Sequence, residues 1–500
     1  MFRKRSFVCS FRLLHVFAAA MTTVLTGAVS FAAEPTFKSK PTLRAGAAVV
    51  DITPEKLPVS MVGSFAERQA TSVHDRLHAR CLVLDDGTTR LALLTADTCL
   101  ISRETFDEAK KRAAAKTGIP VANMLMSATH THSGATAMDL GNFKADEAYV
   151  EFLTARMAEA IERATAKLEP AKLGYGTAPL ASEVHNRRWK VKPGVLVESP
   201  FPLDDRVPDQ VLTNPGLNNP NVEEPAGPTD PDVMVLSVQT AAGKPLALYG
   251  VYSLHYVGGT PANALSADYF GEFAEQMREK LGEPKDSSFV ALLANGTSGD
   301  INNVDVKQRR LSREPMEQSR LVAGRVADVA LGVYRQVKLR DDVVLSSTER
   351  ELKLKVRKPS DVDVAVAKRF LEDLTTIPTI AATRAQLEKQ TLYLNETLKL
   401  GAFPEEVAIK LQVLRLGGLA IASIPGEPFA EIGLDVKRRS LSAESTFVVG
   451  LANGYYGYIP TPEQHRLGGY ETWRSRWSYL EVGASTKIID TLAEMLNEKP

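Results

Sequence analysis

Residues 90–134 read "RLALLTADTCLISRETFDEAKKRAAAKTGIPVANMLMSATHTHSG", and the fold class follows from this stretch. The apolar run "RLALLTADTCL" precedes a helical pattern opened by a serine and closed by a glycine, "SRETFDEAKKRAAAKTG", and a second apolar run, "NMLMSATH", follows. Serine favours the N-cap of a helix and glycine its C-terminal exit. Short apolar runs bounded by turn residues read as strands, so the unit is strand, helix, strand.

The same order recurs outward from it. "LRAGAAVVDITP" and "ARCLVLDD" upstream read as strands, and "DEAYVEFLTARMAEAIERATAKL" downstream carries apolar residues at helical spacing. "LALYGVYSLH" leads into "SADYFGEFAEQMREKLG", and "SFVALLAN" into "REPMEQSRLVAGRVADVALGVYRQV". This alternation predicts an α/β protein, with mixed β-sheets layered with helices in a single large catalytic domain. Two segments interrupt it. Residues 189–231 are rich in Pro, Asn and Asp and read as a long ordered loop of the kind that covers a site; residues 360–400 read as a helical hairpin. With no repeat and no clear linker, the preferred division is one domain from 43 to 500.

Composition limits the partners. The 500 residues are 44% hydrophobic and carry 60 basic and 60 acidic side chains, with no Lys/Arg run interleaved with aromatics, so neither a nucleic acid nor a polybasic membrane contact is indicated. The N-terminal "MFRKRSF", the apolar stretch after it and the small residues of "SFAAEP" make residues 1–33 a signal peptide. The expected location is secreted or periplasmic, and an uncleaved anchor is the alternative. Beyond residue 34 no run approaches the ~18 to 20 apolar residues of a membrane span, so any membrane contact expected of the mature body is peripheral. Cys81 and Cys99 fall in neighbouring strand-like runs. They form a disulfide in an oxidising compartment or stay as two buried thiols.

The eight histidines are informative by their company. On a regular strand residues i and i+2 share a face, so His130 and His132 would project together, as zinc ligands or as general acid and base; polar positions at the end of a buried strand explain them equally. His255 ends the run "LALYGVYSLH", where α/β sheets present ligands and where hydrogen-bonded structural histidines also occur. Glu427, after "LAIASIPG", stands at the start of an expected helix, either as a ligand or as a first-turn carboxylate favoured by the macrodipole.

Taken in order, "GAAVVDITP", "SATHTHSG", "HNRR", "YSLH…SADYFG", "NGTSGDINN", "IPGEPF" and "GLANGYYGYIPTPE…GGYE" resemble the catalytic domain of the neutral/alkaline non-lysosomal ceramidases. The resemblance spans the chain after residue 43 in patches, and "SATHTHSG" is its most specific part. It implies one Zn2+ held by His130, His255, Glu427 and Tyr458. It also implies that His132 handles the substrate carbonyl or a proton, and that Arg187, with Tyr470, stabilises the oxyanion formed when activated water attacks an amide. Tyr479 competes with Tyr470 for that place because an inserted "TWRSRWSYL" blurs the tail.

Three departures qualify what the resemblance implies. Asn302 stands where the family carries a serine to which a catalytic role is assigned; its amide can only donate to an oxyanion or position water. Ser298 and Ser133 lie outside any G-x-S-x-G elbow, which disfavours a serine hydrolase. The segment after "HNRR" differs from the lipid-enzyme pattern, and the family's C-terminal immunoglobulin-like domain is not expected in this sequence. The leading expectation is an exported zinc amidohydrolase acting on a lipid or small-molecule N-acyl amide, in sphingolipid metabolism if ceramide is the substrate. The alternatives are a zinc hydrolase of a non-sphingolipid amide or ester, such as an N-acyl sugar or glycolipid, and a noncatalytic envelope protein on the same scaffold.

Overall fold

The computed structural model describes residues 42–63, 68–197, 199–201, 208–308, 313–373 and 384–498. The expected signal peptide lies outside the described residues. Pro41–Pro500 forms one compact unit, and its fold is the α/β layering expected.

Eight strands form the main sheet: β1 (Arg44–Asp51), β2 (His78–Asp85), β3 (Arg90–Ala96), β4 (Met124–Ala128), β5 (Glu169–Pro179), β6 (Asp232–Thr240), β7 (Pro245–Tyr252) and β8 (Val290–Asn295). Their spatial order is β8-β7-β6-β5-β1-β2-β3-β4. The interior pairs are antiparallel, while the outermost pair at each edge, β3/β4 and β7/β8, is parallel. A parallel neighbour needs a crossover. Helix α1 (Arg103–Thr117) lies in one crossover and α3 (Asp268–Lys280) in the other, while α2 (Glu147–Ala166) and α4 (Glu317–Gln336) follow β4 and β8. The cap assignments for α1 hold: Ser102 accepts from Thr105 N, and Gly118 takes the left-handed conformation at the exit.

Strand alternation sorts the side chains into cores. Ala48, Val83, Leu94 and Met126 pack with Phe106, Leu153 and Ile161 under α1 and α2, and Val235, Leu248 and Leu293 pack with Phe273 and Val326 under α3 and α4. The opposite faces share one central core, with Leu82, Leu93 and Leu125 joined by Leu236, Tyr249 and Leu292. A second, four-stranded sheet completes that core: β9 (Leu345–Lys355), β10 (Glu406–Leu416), β11 (Leu419–Ser423) and β12 (Ser445–Val449). Burial on both faces explains why β2, β3, β4, β7 and β8 read as continuous apolar runs rather than alternating ones. The expected hairpin is α5 (Asp361–Asp373) and α6 (Arg384–Gly401), inserted between β9 and β10.

Three expectations are corrected, and of the two readings left open for the cysteines one is found. Residues 189–231 are not wholly irregular, because Arg188–Val191, Val211–Thr213 and Val222–Pro225 make a small sheet. Strands of three or four residues among prolines leave no period to read. Glu427 is not in a helix: Glu427–Pro428 pairs in parallel with Tyr458–Ile459, and the helix begins at Ala430. Pairing with a distant segment decided this, and local sequence does not carry it. The strand before the histidines stops at Ala128, and His130 has a left-handed φ of 72°. A kink, not strand alternation, brings His130 and His132 together. Cys81 and Cys99 are both free and buried; Cys81 packs in the β2 core, whereas Cys99 lies beyond the end of β3.

Candidate functional site

The ends of β4, β7 and β8 and the loop after β12 meet at the floor of a cavity of about 800 Å³. Backbone hydrogen bonds join them: His130 N donates to Thr98 O, Ala128 N to Leu451 O, and Gly450 N to Asn295 O.

At the floor each of three imidazoles has its Nδ1 bonded to a backbone carbonyl: His130 to Cys99 at 2.8 Å, His132 to Gly63 at 2.8 Å and His255 to Ser298 at 3.0 Å. A carbonyl only accepts, so each Nδ1 carries the proton and each neutral ring presents an Nε2 lone pair. These lone pairs converge, with His130 Nε2 lying 3.0 Å from His255 Nε2 and 3.1 Å from His132 Nε2. Glu427 Oε2 sits 3.3 Å from His130 Nε2 and 3.6 Å from His255 Nε2, fully buried and without a hydrogen-bond partner. Its Oε1 accepts from Tyr455 Oη at 2.9 Å.

Such a cluster of buried acceptors is unstable unless something positive is shared among them. Burial and then the neighbouring His130 hold His255 and His132 well below the usual imidazole range. His130 goes the other way: against burial, Cys99 and Glu427 lift it well above that range. The cluster therefore calls for one cation, a proton or a metal ion. Two ligands of a tetrahedral zinc at ~2.0 Å stand about 3.3 Å apart, the spacing seen here, and neutral imidazole with carboxylate is a zinc-type donor set. His130, His255 and Glu427 thus fit a metal ion.

Tyr458 is held next to Glu427 by the short parallel pair, and its Oη bonds Tyr470 Oη at 2.7 Å and accepts from Arg187 Nη2 at 3.1 Å. Tyr470 lines the cavity, whereas Tyr479 packs into the apolar core beside Phe403, so of the two competing tyrosines it is Tyr470 that faces the cavity. Arg187 also lines the cavity, with Nε on Glu471 and Nη2 on the Gly299 carbonyl. Asn302 is not brought in. It donates to Asn214 Oδ1 at 2.5 Å and caps its own loop at Val304 N, and only Asn214 of this pair lines the cavity. Ser133 pairs with Thr260 and Ser298 with Asn295.

Sequence reasoning missed Tyr256, stacked on His132 at 3.8 Å, as well as Tyr455 and Glu471. Tyr455 lies inside the quoted "NGYYGY" and Glu471 inside "GGYE", so position in a motif was the available signal. The cavity walls are largely apolar, with Leu140, Phe143, Leu212, Leu392, Trp473 and Trp477 among them.

The α/β fold that carries this cleft has counterparts among known proteins. Residues 43–191 match the family described as neutral/alkaline non-lysosomal ceramidase, N-terminal. The neutral ceramidase of Pseudomonas aeruginosa is 22% identical over 91% of this chain and 72% of its own length, and that of Mycobacterium tuberculosis is 23% identical over 91% and 77%. Neutral ceramidase B of Dictyostelium discoideum is 22% identical over 85% and 68%. The crystal structure of the Pseudomonas aeruginosa neutral ceramidase superposes with a TM-score of 0.66 at 19% identity, covering 92% of this chain and 74% of that one. The chain is thus similar to the neutral ceramidases over most of its length, and residues 43–191 match their family.

Proposed function

We propose that this chain is an exported, zinc-dependent hydrolase of an N-acyl amide, ceramidase-like in its chemistry. The observation that carries the reading is the convergence of three Nε2 lone pairs and the orphan Glu427 Oε2 at the cavity floor. His130, His255 and Glu427 hold the metal, and Tyr458 stands beside them. Bound there, zinc supplies a water acidic enough to ionise near neutral pH.

The chain's own residues do the rest. Arg187 faces the substrate carbonyl, its guanidinium held by Glu471, Gly299 and Tyr458, and it stabilises the negative charge that develops on that oxygen. Tyr470 supports Tyr458 from the cavity side. His132 has Nε2 free of a proton and its ring clamped between the Gly63 carbonyl and Tyr256; it takes a proton at Nε2 and returns it to the leaving amine. Apolar walls suit an aliphatic acyl chain. A non-sphingolipid N-acyl substrate is the second reading, favoured by Asn302 in the serine position and by a cavity wall, Val211–Asn214, drawn from the divergent Pro/Asn-rich segment.

Metal analysis of the purified mature chain, with hydrolysis assays on ceramides and N-acyl sugars, tests both readings. Stoichiometric zinc and ceramide cleavage lost in His130→Ala are expected. Absence of zinc, with His130→Ala as active as the parent, overturns the proposal. Cleavage of N-acyl sugars in preference to ceramide selects the second reading.

A further inference from the structure

Glu471 is wholly buried next to Tyr470, and its two oxygens are divided between different tasks. Oε1 accepts from Arg187 Nε at 3.0 Å; Oε2 accepts from Arg188 Nη1 at 2.6 Å and from Thr213 Oγ1 at 2.7 Å. Burial alone would favour the neutral acid, but Arg188, Arg187 and the Thr213 hydroxyl hold this carboxyl below the usual range, so it is a fixed negative charge.

The two arginines differ in what they have left. Arg188 spends its remaining donors on the Gln464 side chain and on the Gln464 and Gly468 carbonyls, and no part of it is exposed. Arg187 gives Nη2 to the Gly299 carbonyl at 2.7 Å and to Tyr458 Oη at 3.1 Å. Among the described residues its Nη1 has no hydrogen-bond partner, and the residue lines the cavity. A guanidinium gripped at Nε and Nη2 can present Nη1 in only one direction. The third partner, Thr213, belongs to the wall segment Val211–Asn214, so the same carboxylate joins the guanidinium to a surface that substrate touches.

We propose that Glu471 is a positioning residue of this site: it fixes the Arg187 guanidinium so that Nη1 is presented to the substrate carbonyl, and through Thr213 it ties that presentation to the cavity wall. The inference rests on the hydrolase reading above. It differs from a purely structural buried ion pair, which would affect folding and leave the chemical step alone. Misplacing a group at the reacting centre by about 1 Å lowers the rate by about 100-fold, and that is the expected fall in kcat for Glu471→Gln.

The test uses the full zinc-loaded chain. Glu471→Gln is expected to lower kcat by that factor, with KM within about twofold, as for an interaction made in the transition state. Its crystal structure should show the Arg187 guanidinium displaced from Tyr458 and Gly299. Thr213→Val keeps the carboxylate and both arginines, so it covers the case in which Glu471→Gln does not fold. It is expected to lower kcat by about 3- to 10-fold, the net weight of one typical hydrogen bond, and Thr213→Ser to restore it.

An unmoved Arg187 in Glu471→Gln overturns the proposal, as does an unchanged kcat in either variant. So does a Thr213→Val variant in which only KM changes. A parent chain that cleaves no N-acyl amide removes the hydrolase reading, and the position of Arg187 in the variant crystal then decides separately whether Glu471 positions it.

Discussion

Tyr455 Oη donates to Glu427 Oε1 at 2.9 Å, which leaves Oε2 as the one oxygen of that carboxylate aimed at the histidine Nε2 atoms. Groups that orient a metal-facing ligand typically contribute 10- to 100-fold in affinity. Tyr455→Phe is therefore expected to weaken zinc binding by about that range while the protein stays folded, since ring packing is retained. Competition with a chelator of known affinity measures it; parent-like zinc affinity in the variant would remove Tyr455 from the site.

The three converging Nε2 atoms make His130 and His132 look alike, yet they are expected to fail differently. His130 and His255 approach Glu427 Oε2 at 3.3 and 3.6 Å, whereas His132 lies beyond ion-pair distance of that oxygen. His132→Ala should thus keep its zinc and lose about 10²- to 10⁴-fold in kcat, the usual weight of a proton-transfer group. His130→Ala should lose the metal itself. Zinc content determined beside kcat separates the two, and a zinc-free His132→Ala would make His132 a ligand.

How much of this was legible in the sequence depended on the range of the interaction. Six strands of the main sheet, β1–β4, β7 and β8, and the caps of α1 were readable because burial on two faces and a Ser/Gly pair leave local marks, whereas β5 and β6 were not read. His130 was found as a residue but not as a geometry: its left-handed φ follows from the chain turning off β4 beneath the β12 loop, which no neighbouring residue announces. Glu427 was placed on a helix because its partner, Tyr458, is 31 positions away. Glu471 carried only its place in "GGYE", since a buried carboxylate becomes recognisable only once two arginines have been folded around it.

Asn302 gives a prediction opposite to the one its position in the motif suggests. Its side chain is tied to Asn214 and Val304 rather than to the metal-facing cluster. Asn302→Ser is expected to change ceramide hydrolysis by less than about threefold, the scale of a surface substitution remote from the reacting atoms. A large gain on restoring the serine would show that the cavity extends to this residue during catalysis and that its loss had redirected the enzyme.

Lys110 offers a prediction about pH. Its ammonium is fully buried and donates to Asn453 Oδ1 at 2.7 Å, beneath the loop that carries Tyr455 and Tyr458. Burial, with help from Lys410 and Arg103 and against Glu349 and Asp107, brings its pKa from 10.5 down to about 8. Between those two values the unfolded chain binds a proton that the folded chain has released, so this group makes stability rise with pH across the window. At 1.36 kcal/mol per unit the full rise is on the order of 3 kcal/mol. Below pH 8 the proton is present in both states and the slope vanishes. Lys110→Met lacks the titration, so denaturant unfolding from pH 7.5 to 10.5 should show the parent gaining stability relative to the variant as pH increases. Parallel stability curves for the two proteins would mean that Lys110 keeps an ordinary pKa and that its charge is solvated in the folded chain.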